Sequence, residues 1–240
     1  MTSPLLRIEN LRKRRASAGH HFELVISRFE LHAGEVVALV GESGSGKSTL
    51  LDLVALALAP DAVDCFVFRP TGSCAIDVAA VWRGSSHGEL DAARGTHVGY
   101  VLQSGGLLPF LTVRENLQLP LRALGRVDAK VVNELSESLD LCRHLEKLPQ
   151  ALSVGERQRV AIGRALVHQP ALVIADEPTS AVDPLLGKRI MELFLEQVAA
   201  RRAALLMATH AGDLASSFGL ETVRPRLSHD AVGTVSEYSR

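Results

Sequence analysis

The stretch Gly41-Glu42-Ser43-Gly44-Ser45-Gly46-Lys47-Ser48 constrains this chain more than any other, because it lies between two apolar runs, Val36 to Val40 and Leu50 to Ala59. Its pattern is G-x-x-x-x-G-K-[ST], placed after a buried strand and before a helix, an arrangement that cradles phosphate. Glycines let successive N–H groups curl around phosphate oxygens without a Cβ in the way, and the helix start adds partial positive charge. On this reading the backbone from Gly41 through Glu42, Ser43, Gly44, Ser45 and Gly46 wraps a triphosphate. Lys47 then reaches the β and γ oxygens, Ser48 takes Mg²⁺ and Thr49 lies near the α-phosphate. The plain alternative is a glycine-rich turn with a solvated lysine.

Two further runs, Leu172 to Ala175 and Ala204 to Ala208, are apolar without alternation, as expected for parallel strands covered on both faces. Each ends in polar residues, Asp176-Glu177 and Thr209-His210. Ligands of open α/β sheets bind beyond the carboxyl ends of the strands, so the three strand ends are expected to converge on one crevice. Neighbouring side chains of a strand point opposite ways, which gives Asp176 and Glu177 different tasks. Asp176 suits the Mg²⁺ shell, and Glu177 suits polarising the attacking water. Alone, the pair reads as helix-capping acids and His210 as a structural histidine; beside a phosphate loop, His210 is expected to contact the γ-phosphate.

Helix signals fill the intervals. Thr112-x-x-Glu115 reads as a capping box, and Asp128 as the cap of a helix carrying Val131, Val132, Leu135, Leu139 and Cys142 on one face. Asp183 caps another, with Pro184 at its first position and Leu186, Ile190, Leu193 and Phe194 facing the sheet. Together these predict one α/β domain over 1–240, with a core and β region over 1–103 and 170–240 and an inserted helical subdomain over 104–169. Pro60 to Thr96 mixes short β-like pieces with turn residues and shows no clean period.

Composition excludes several classes. With 47% apolar residues in 240, the chain has a sizeable core and is not a disordered tail. A net charge of -1 provides no global positive field, and 4% aromatics leave few stacking platforms, so no nucleic-acid partner is expected. Leu50 to Ala59 is about half the ~20 residues of a bilayer-spanning helix. Met1 to Leu11 lacks the apolar segment of a secretory signal, so a cytosolic chain is expected. Cys65, Cys74 and Cys142 have neither disulfide-framework nor zinc spacing and are expected to be buried reduced thiols.

Leu152-Ser153-Val154-Gly155-Glu156-Arg157-Gln158 precedes a further helix, and Ser153-x-x-Glu156 alone means only that it is well capped. Combined in order with the phosphate loop, Asp176-Glu177, Ser180-Ala181-Val182-Asp183 and His210, it makes residues 5–220 resemble the ATP-binding cassette (ABC) ATPases. The resemblance implies a P-loop NTPase fold with a central, mostly parallel sheet, a flanking antiparallel β region and an inserted helical subdomain. It implies that Gln103 links Mg²⁺ to a transmembrane partner, that Asp183 belongs to the D-loop and that His210 is the switch histidine. It also implies a head-to-tail dimer with a second copy around two Mg-ATP, in which Ser153, Gly155 and Glu156 of one copy reach the γ-phosphate held by the other.

This chain departs from the family pattern in two places. Val154 stands where the family has its first signature glycine. No stacking aromatic for adenine is evident in Arg12-Lys13-Arg14-Arg15, although Phe22 follows; either Arg15 stacks through its guanidinium plane or the basic run is a solvated turn. Gly99-Tyr100-Val101-Leu102-Gln103, Leu107-Leu108-Pro109, Thr112-Val113-Arg114-Glu115-Asn116 and Leu119-Pro120-Leu121 resemble the subunits of lipoprotein-release and macrolide-export systems. That likeness implies an ATPase at the cytoplasmic face of the inner membrane, driving a separate permease docked near Gln103 and the helical lobe. The competing class is a soluble ABC ATPase of iron–sulfur cofactor assembly.

Overall fold

The computed structural model describes residues 3–17, 20–70, 72–84, 87–210, 212–229 and 233–240. In chain order the first elements are β1 (Leu6–Ser17), β2 (His20–Leu31), β3 (Val36–Val40), α1 (Lys47–Val54), β4 (Cys65–Phe68), β5 (Ile76–Asp77), α2 (Val78–Arg83) and α3 (Gly88–His97). There follow β6 (Val98–Val101), α4 (Val113–Ala123), α5 (Ala129–Ser138), α6 (Val154–Leu166), β7 (Leu172–Asp176), α7 (Pro184–Ala200) and β8 (Ala204–Thr209). The last are α8 (Gly212–Ser217), β9 (Glu221–Val223), β10 (Arg226–His229) and β11 (Gly233–Ser239). The chain forms two compact units, Met1–Arg94 with Leu206–Arg240, and Gly95–Leu205; the divisions fall within α3 and β8.

In the first unit a six-stranded sheet runs in the order β10-β11-β2-β1-β4-β5. Strands β1 and β2 pair antiparallel in one long register that sets buried side chains opposite each other: Leu6 with Leu31, Ile8 with Phe29, and Leu11 with Ile26. Asn10, in the left-handed region at φ 51, shifts the buried phase of β1 from Leu6 and Ile8 to Leu11. Strand β11 joins the far side of β2 in parallel. The unit also holds β3, buried throughout except for its half-buried first residue, in a parallel pair with β9.

The basic run Arg12 to Arg15 is not a turn but part of β1, and its charges are paired. Arg12 and Arg14 reach Glu23 on β2 at 3.5 and 2.9 Å, Lys13 reaches Asp61 at 2.7 Å, and Arg15 stands 4.0 Å from Asp52. Acids from β2, from α1 and from the segment after α1 offset the charge of these consecutive cations in the strand. Pro60 to Thr96, without a period in the sequence, contributes β4 and β5 to the six-stranded sheet, then α2 and α3.

The second unit is built on β6 and β7, paired in parallel from Val98 opposite Leu172 to Val101 opposite Ala175. Helix α6 packs on β6, α4 and α7. Gly99 makes the first contact possible, since a Cβ there would stand 2.0 Å from the Ala165 carbonyl oxygen. The helices begin where their caps are: Thr112 and Glu115 form a complete capping box on α4, Asp128 accepts from Val131 N–H, and Asp183 accepts from Leu186 N–H. Fully buried Asn116 ties down the loop before α4, accepting from Leu108 N–H and donating to the carbonyls of Leu108, Leu111 and Thr112.

Three expectations need correction. Helix α5 stops at Ser138, and Cys142 lies in a 3-10 turn, Cys142–His144, instead of on the α5 face. The buried face of α7 consists of Ile190, Met191, Phe194 and Val198; Leu186 is 36% exposed, because it sits in the first turn beside the cap. The cysteines are free but not buried: Cys74 and Cys142 are exposed and Cys65 is half-buried. Strands β6 and β7 and helix α7 cluster with the helices of 104–169, because α6 packs on both β6 and α7. Among the described residues no helix is long and apolar enough to cross a membrane.

Candidate functional site

The residues singled out by sequence fall into three constellations. In the first unit, the loop from Gly41 leads into α1, and Gly44 and Gly46 adopt left-handed backbone at φ 79 and 88. Gly46 serves as the N-cap of α1 without any side-chain cap, and no acid occupies the first turn. The helix start therefore leaves its orphan N–H groups and positive dipole end for an outside anion. Ser48 is exposed in that first turn, while Thr49 is buried.

Lys47 is 5% exposed, and its Nζ donates to the carbonyl oxygens of Gly41 and Glu42 at 2.7 and 2.8 Å. Its ammonium is thus held inside the curl of the loop, where a phosphate oxygen would meet a desolvated charge. His210, exposed, directly follows β8 and belongs to the same unit.

The loop rests on a floor that sequence reasoning missed. A Cβ on Gly46 would stand 2.7 Å from Phe22 Cζ and 3.0 Å from Leu24 Cδ1, so β2 lies directly beneath. Ser236 Oγ and Tyr238 OH of β11 both donate to the Ser45 carbonyl, at 2.7 and 3.1 Å, and both side chains are fully buried. Burial pushes the Tyr238 hydroxyl up to about 12. The alternation Ser236-Glu237-Tyr238 indicates a strand, but nothing local in it indicates the phosphate loop.

In the second unit, Asp176 ends β7 and Glu177 follows it, both half-buried. Glu177 takes a left-handed backbone at φ 46, which costs a non-glycine residue about 1–2 kcal/mol. The turn that holds it closes when Ser180 N–H and Oγ both donate to the Glu177 carbonyl, at 3.2 and 3.1 Å. Gln103 Nε2 donates to Glu177 Oε2 at 3.2 Å. The structure thus brings Gln103, Asp176 and Glu177 together at the ends of the paired strands β6 and β7.

The third constellation is the start of α6. The Ser153 hydroxyl accepts from Glu156 N–H at 3.3 Å, and Ser153 N–H donates back to Glu156 Oε2 at 2.7 Å. The backbone and side-chain hydrogen bonds to Ser153 hold the Glu156 carboxyl below its ordinary range. The other oxygen, Glu156 Oε1, lies 3.0 Å from Nε2 of the buried His144, whose own value burial pushes down despite the acid. Gly155 is buried, and a Cβ on it would stand 2.8 Å from Leu186 Cδ2; the glycine admits α7. Val154 beside it is exposed, at 42%. Asp183 is engaged as the cap of α7.

Oxygen donors such as Ser48, Asp176 and Gln103 suit Mg²⁺, a hard cation that prefers a few protein oxygens together with substrate phosphates. Glycines at left-handed angles, an uncapped helix start and a buried lysine suit a polyphosphate.

Comparison with known proteins agrees with this chemistry. Residues 25–180 match the family model described as ABC transporter. The chain is 40% identical over 216 residues to the lipoprotein-releasing system ATP-binding protein LolD of Gluconobacter oxydans, covering 88% of this chain and 89% of that one. It is 38% identical over 185 residues to an uncharacterized ABC transporter ATP-binding protein of Mycobacterium tuberculosis, covering 76% and 71%. Among solved structures, a dimeric ATP-binding cassette in a post-hydrolysis state bound to ADP and Pi superposes with a TM-score of 0.70 at 29% identity, covering 88% and 90%. Clostridium perfringens cbiO1, part of the ABC transporter complex cbiONQ, gives 0.74 at 26% identity, covering 90% and 82%. With the family model spanning more than half its length, this chain belongs to the ABC transporter family, as an ATP-hydrolysing cassette.

Proposed function

We propose that this cassette drives a separate membrane permease in lipoprotein release or a related envelope-export process, from the cytoplasmic face of the inner membrane. Two copies pair head to tail around two Mg-ATP. The likeness to LolD proteins over most of both chains supports this reading, as does the dimeric state of a neighbouring cassette structure. An iron–sulfur assembly role has no observation in its favour.

The residues divide the work as follows. The backbone of Gly41 to Gly46 and Lys47 hold the β and γ phosphates, with Thr49 near the α-phosphate. Ser48, Asp176 and Gln103 hold Mg²⁺, which when bound neutralises developing phosphate charge. Glu177 accepts the proton of the attacking water, and His210 contacts the γ-phosphate. Ser153, Gly155 and Glu156 at the tip of α6, with Asp183 of the D-loop, complete the site bound by the other copy.

The observation that carries the chemistry is Glu177 itself, a carboxylate set in a left-handed turn at a strand end and held by Gln103. Glu177→Gln is expected to keep ATP binding, slow hydrolysis about a hundredfold or more, and accumulate an ATP-bound dimer visible by light scattering. Unchanged turnover would overturn the assignment. Recovery of a polytopic membrane subunit with the tagged chain from detergent-solubilised membranes tests the transport role; a soluble scaffold in its place would refute it.

A further inference from the structure

The phosphate loop is usually considered together with the strand before it and the helix after it, yet here its middle rests on the end of the chain. Ser236 and Tyr238 are two apart on β11, so their side chains share one face, and both hydroxyls converge on the single carbonyl oxygen of Ser45. Both residues are fully buried, and a hydroxyl in such a place is retained at a cost unless it has a partner. Their partner is the residue two before Lys47.

The consequence follows from the geometry of the peptide unit. The Ser45 carbonyl and the Gly46 N–H belong to one planar trans peptide, so they point in opposite directions. Fixing the oxygen down onto β11 therefore fixes the Gly46 N–H away from β11, at the uncapped start of α1. Gly46 has no Cβ to restrict that peptide plane, and at φ 88 its own conformational freedom is large. Phe22 and Leu24 fill the space beneath it but cannot orient a dipole.

We infer that Ser236 and Tyr238 are positioning residues for nucleotide binding: their hydroxyls lock the Ser45–Gly46 peptide so that the Gly46 N–H is pre-aimed at a phosphate oxygen. This rests on the phosphate-loop reading above. The two donors are redundant in kind, since either alone holds the carbonyl down. Removing one hydroxyl has a small effect, and removing both releases the peptide plane.

The test uses the full chain and MgADP as probe, measured by calorimetry, beside steady-state ATP hydrolysis and the melting temperature of the nucleotide-free protein. Wild-type binding is the control; its absence would overturn the phosphate-loop reading itself. Given that control, Ser236→Ala and Tyr238→Phe are each expected to weaken MgADP by about two- to threefold, and the double variant by about tenfold or more, exceeding the product of the singles. KM for ATP should rise with the double variant more than kcat falls, and Ser236→Thr, which keeps the hydroxyl, should restore affinity in the Tyr238→Phe background. A folded double variant with wild-type affinity would overturn the inference. So would an affinity loss that Ser236→Thr fails to rescue, or one matched by an equal loss of stability in the nucleotide-free protein. Should the double variant not fold, the two single variants decide: a loss of MgADP affinity of about two- to threefold in each, with an unchanged melting temperature, supports the lock, and wild-type affinity in both refutes it.

Discussion

Helices α1 and α6 both begin at residues proposed above to meet nucleotide, but they begin in opposite ways. The start of α1 has a left-handed glycine cap, no side-chain acceptor and no acid, whereas α6 starts with a complete Ser153–Glu156 capping box. One helix leaves its first N–H groups for a ligand, and the other satisfies its own. Their glycines differ in the same sense. Gly46 is required by its backbone angle and by Phe22 beneath it, while Gly155, at an ordinary helical position, only gives room to the end of the Leu186 side chain. The loop before α1 is thus built as a binding surface, and the tip of α6 is built first as a stable corner between helices.

Four experiments test this contrast. The largest effect is expected from Lys47→Ala, which removes a desolvated charge from the loop and should lower ATP turnover about a hundredfold or more, with weaker MgADP binding by calorimetry. Normal turnover would show that the loop is not the phosphate site.

Next come the two glycines. Gly46→Ala forces a Cβ against Phe22 at a left-handed angle and should cost about 2 kcal/mol or more in urea unfolding. Gly155→Ala meets only the end of a flexible, partly exposed leucine and gains about 1 kcal/mol of helix propensity, so its net change should stay within about 1 kcal/mol. Equal losses at the two positions would erase the distinction.

A smaller effect is expected from the capping box of α4, which is complete like that of α6. Thr112→Ala should cost about 1 kcal/mol, or about 2–4 °C in Tm, and MgADP affinity should not change. A large loss of affinity would mean that the α4 cap does more than hold its own helix start.

The smallest effect is a pH dependence at the corner itself. Burial lowers the affinity of His144 for a proton relative to the unfolded chain, so the unfolded state binds more protons and stability rises with pH. Its contribution is complete above the ordinary histidine value of about 6.5 and is lost as pH falls below it. Glu156, also lowered, loses its contribution only under more acidic conditions, below the ordinary range of a glutamate. Between about pH 7.5 and 5.5 the Tm of the wild type should therefore fall further than that of His144→Gln. Parallel curves for the two proteins would exclude His144 as the source.

What the sequence determined by itself is local. The loop from Gly41 to Ser48, the boxes Thr112–Glu115 and Ser153–Glu156, and the caps Asp128 and Asp183 are legible because each is a hydrogen-bond pattern closed within a few residues. The buried strands Val36–Val40, Leu172–Asp176 and Ala204–Thr209 are legible for a different reason, as short apolar runs without alternation that end in polar residues.

Only the tertiary structure decided what those patterns touch. It placed Arg12 to Arg15 in a strand, because the acids that pair with them come from β2, α1 and the segment after it. It turned Gly155 toward Leu186 and left Val154 outside. It also set Ser236 and Tyr238 under a carbonyl 191 and 193 residues away in sequence. A hydroxyl's partner depends on which distant strand lies beside it, and that pairing is fixed by the burial of whole faces, to which no short stretch of residues is sufficient guide.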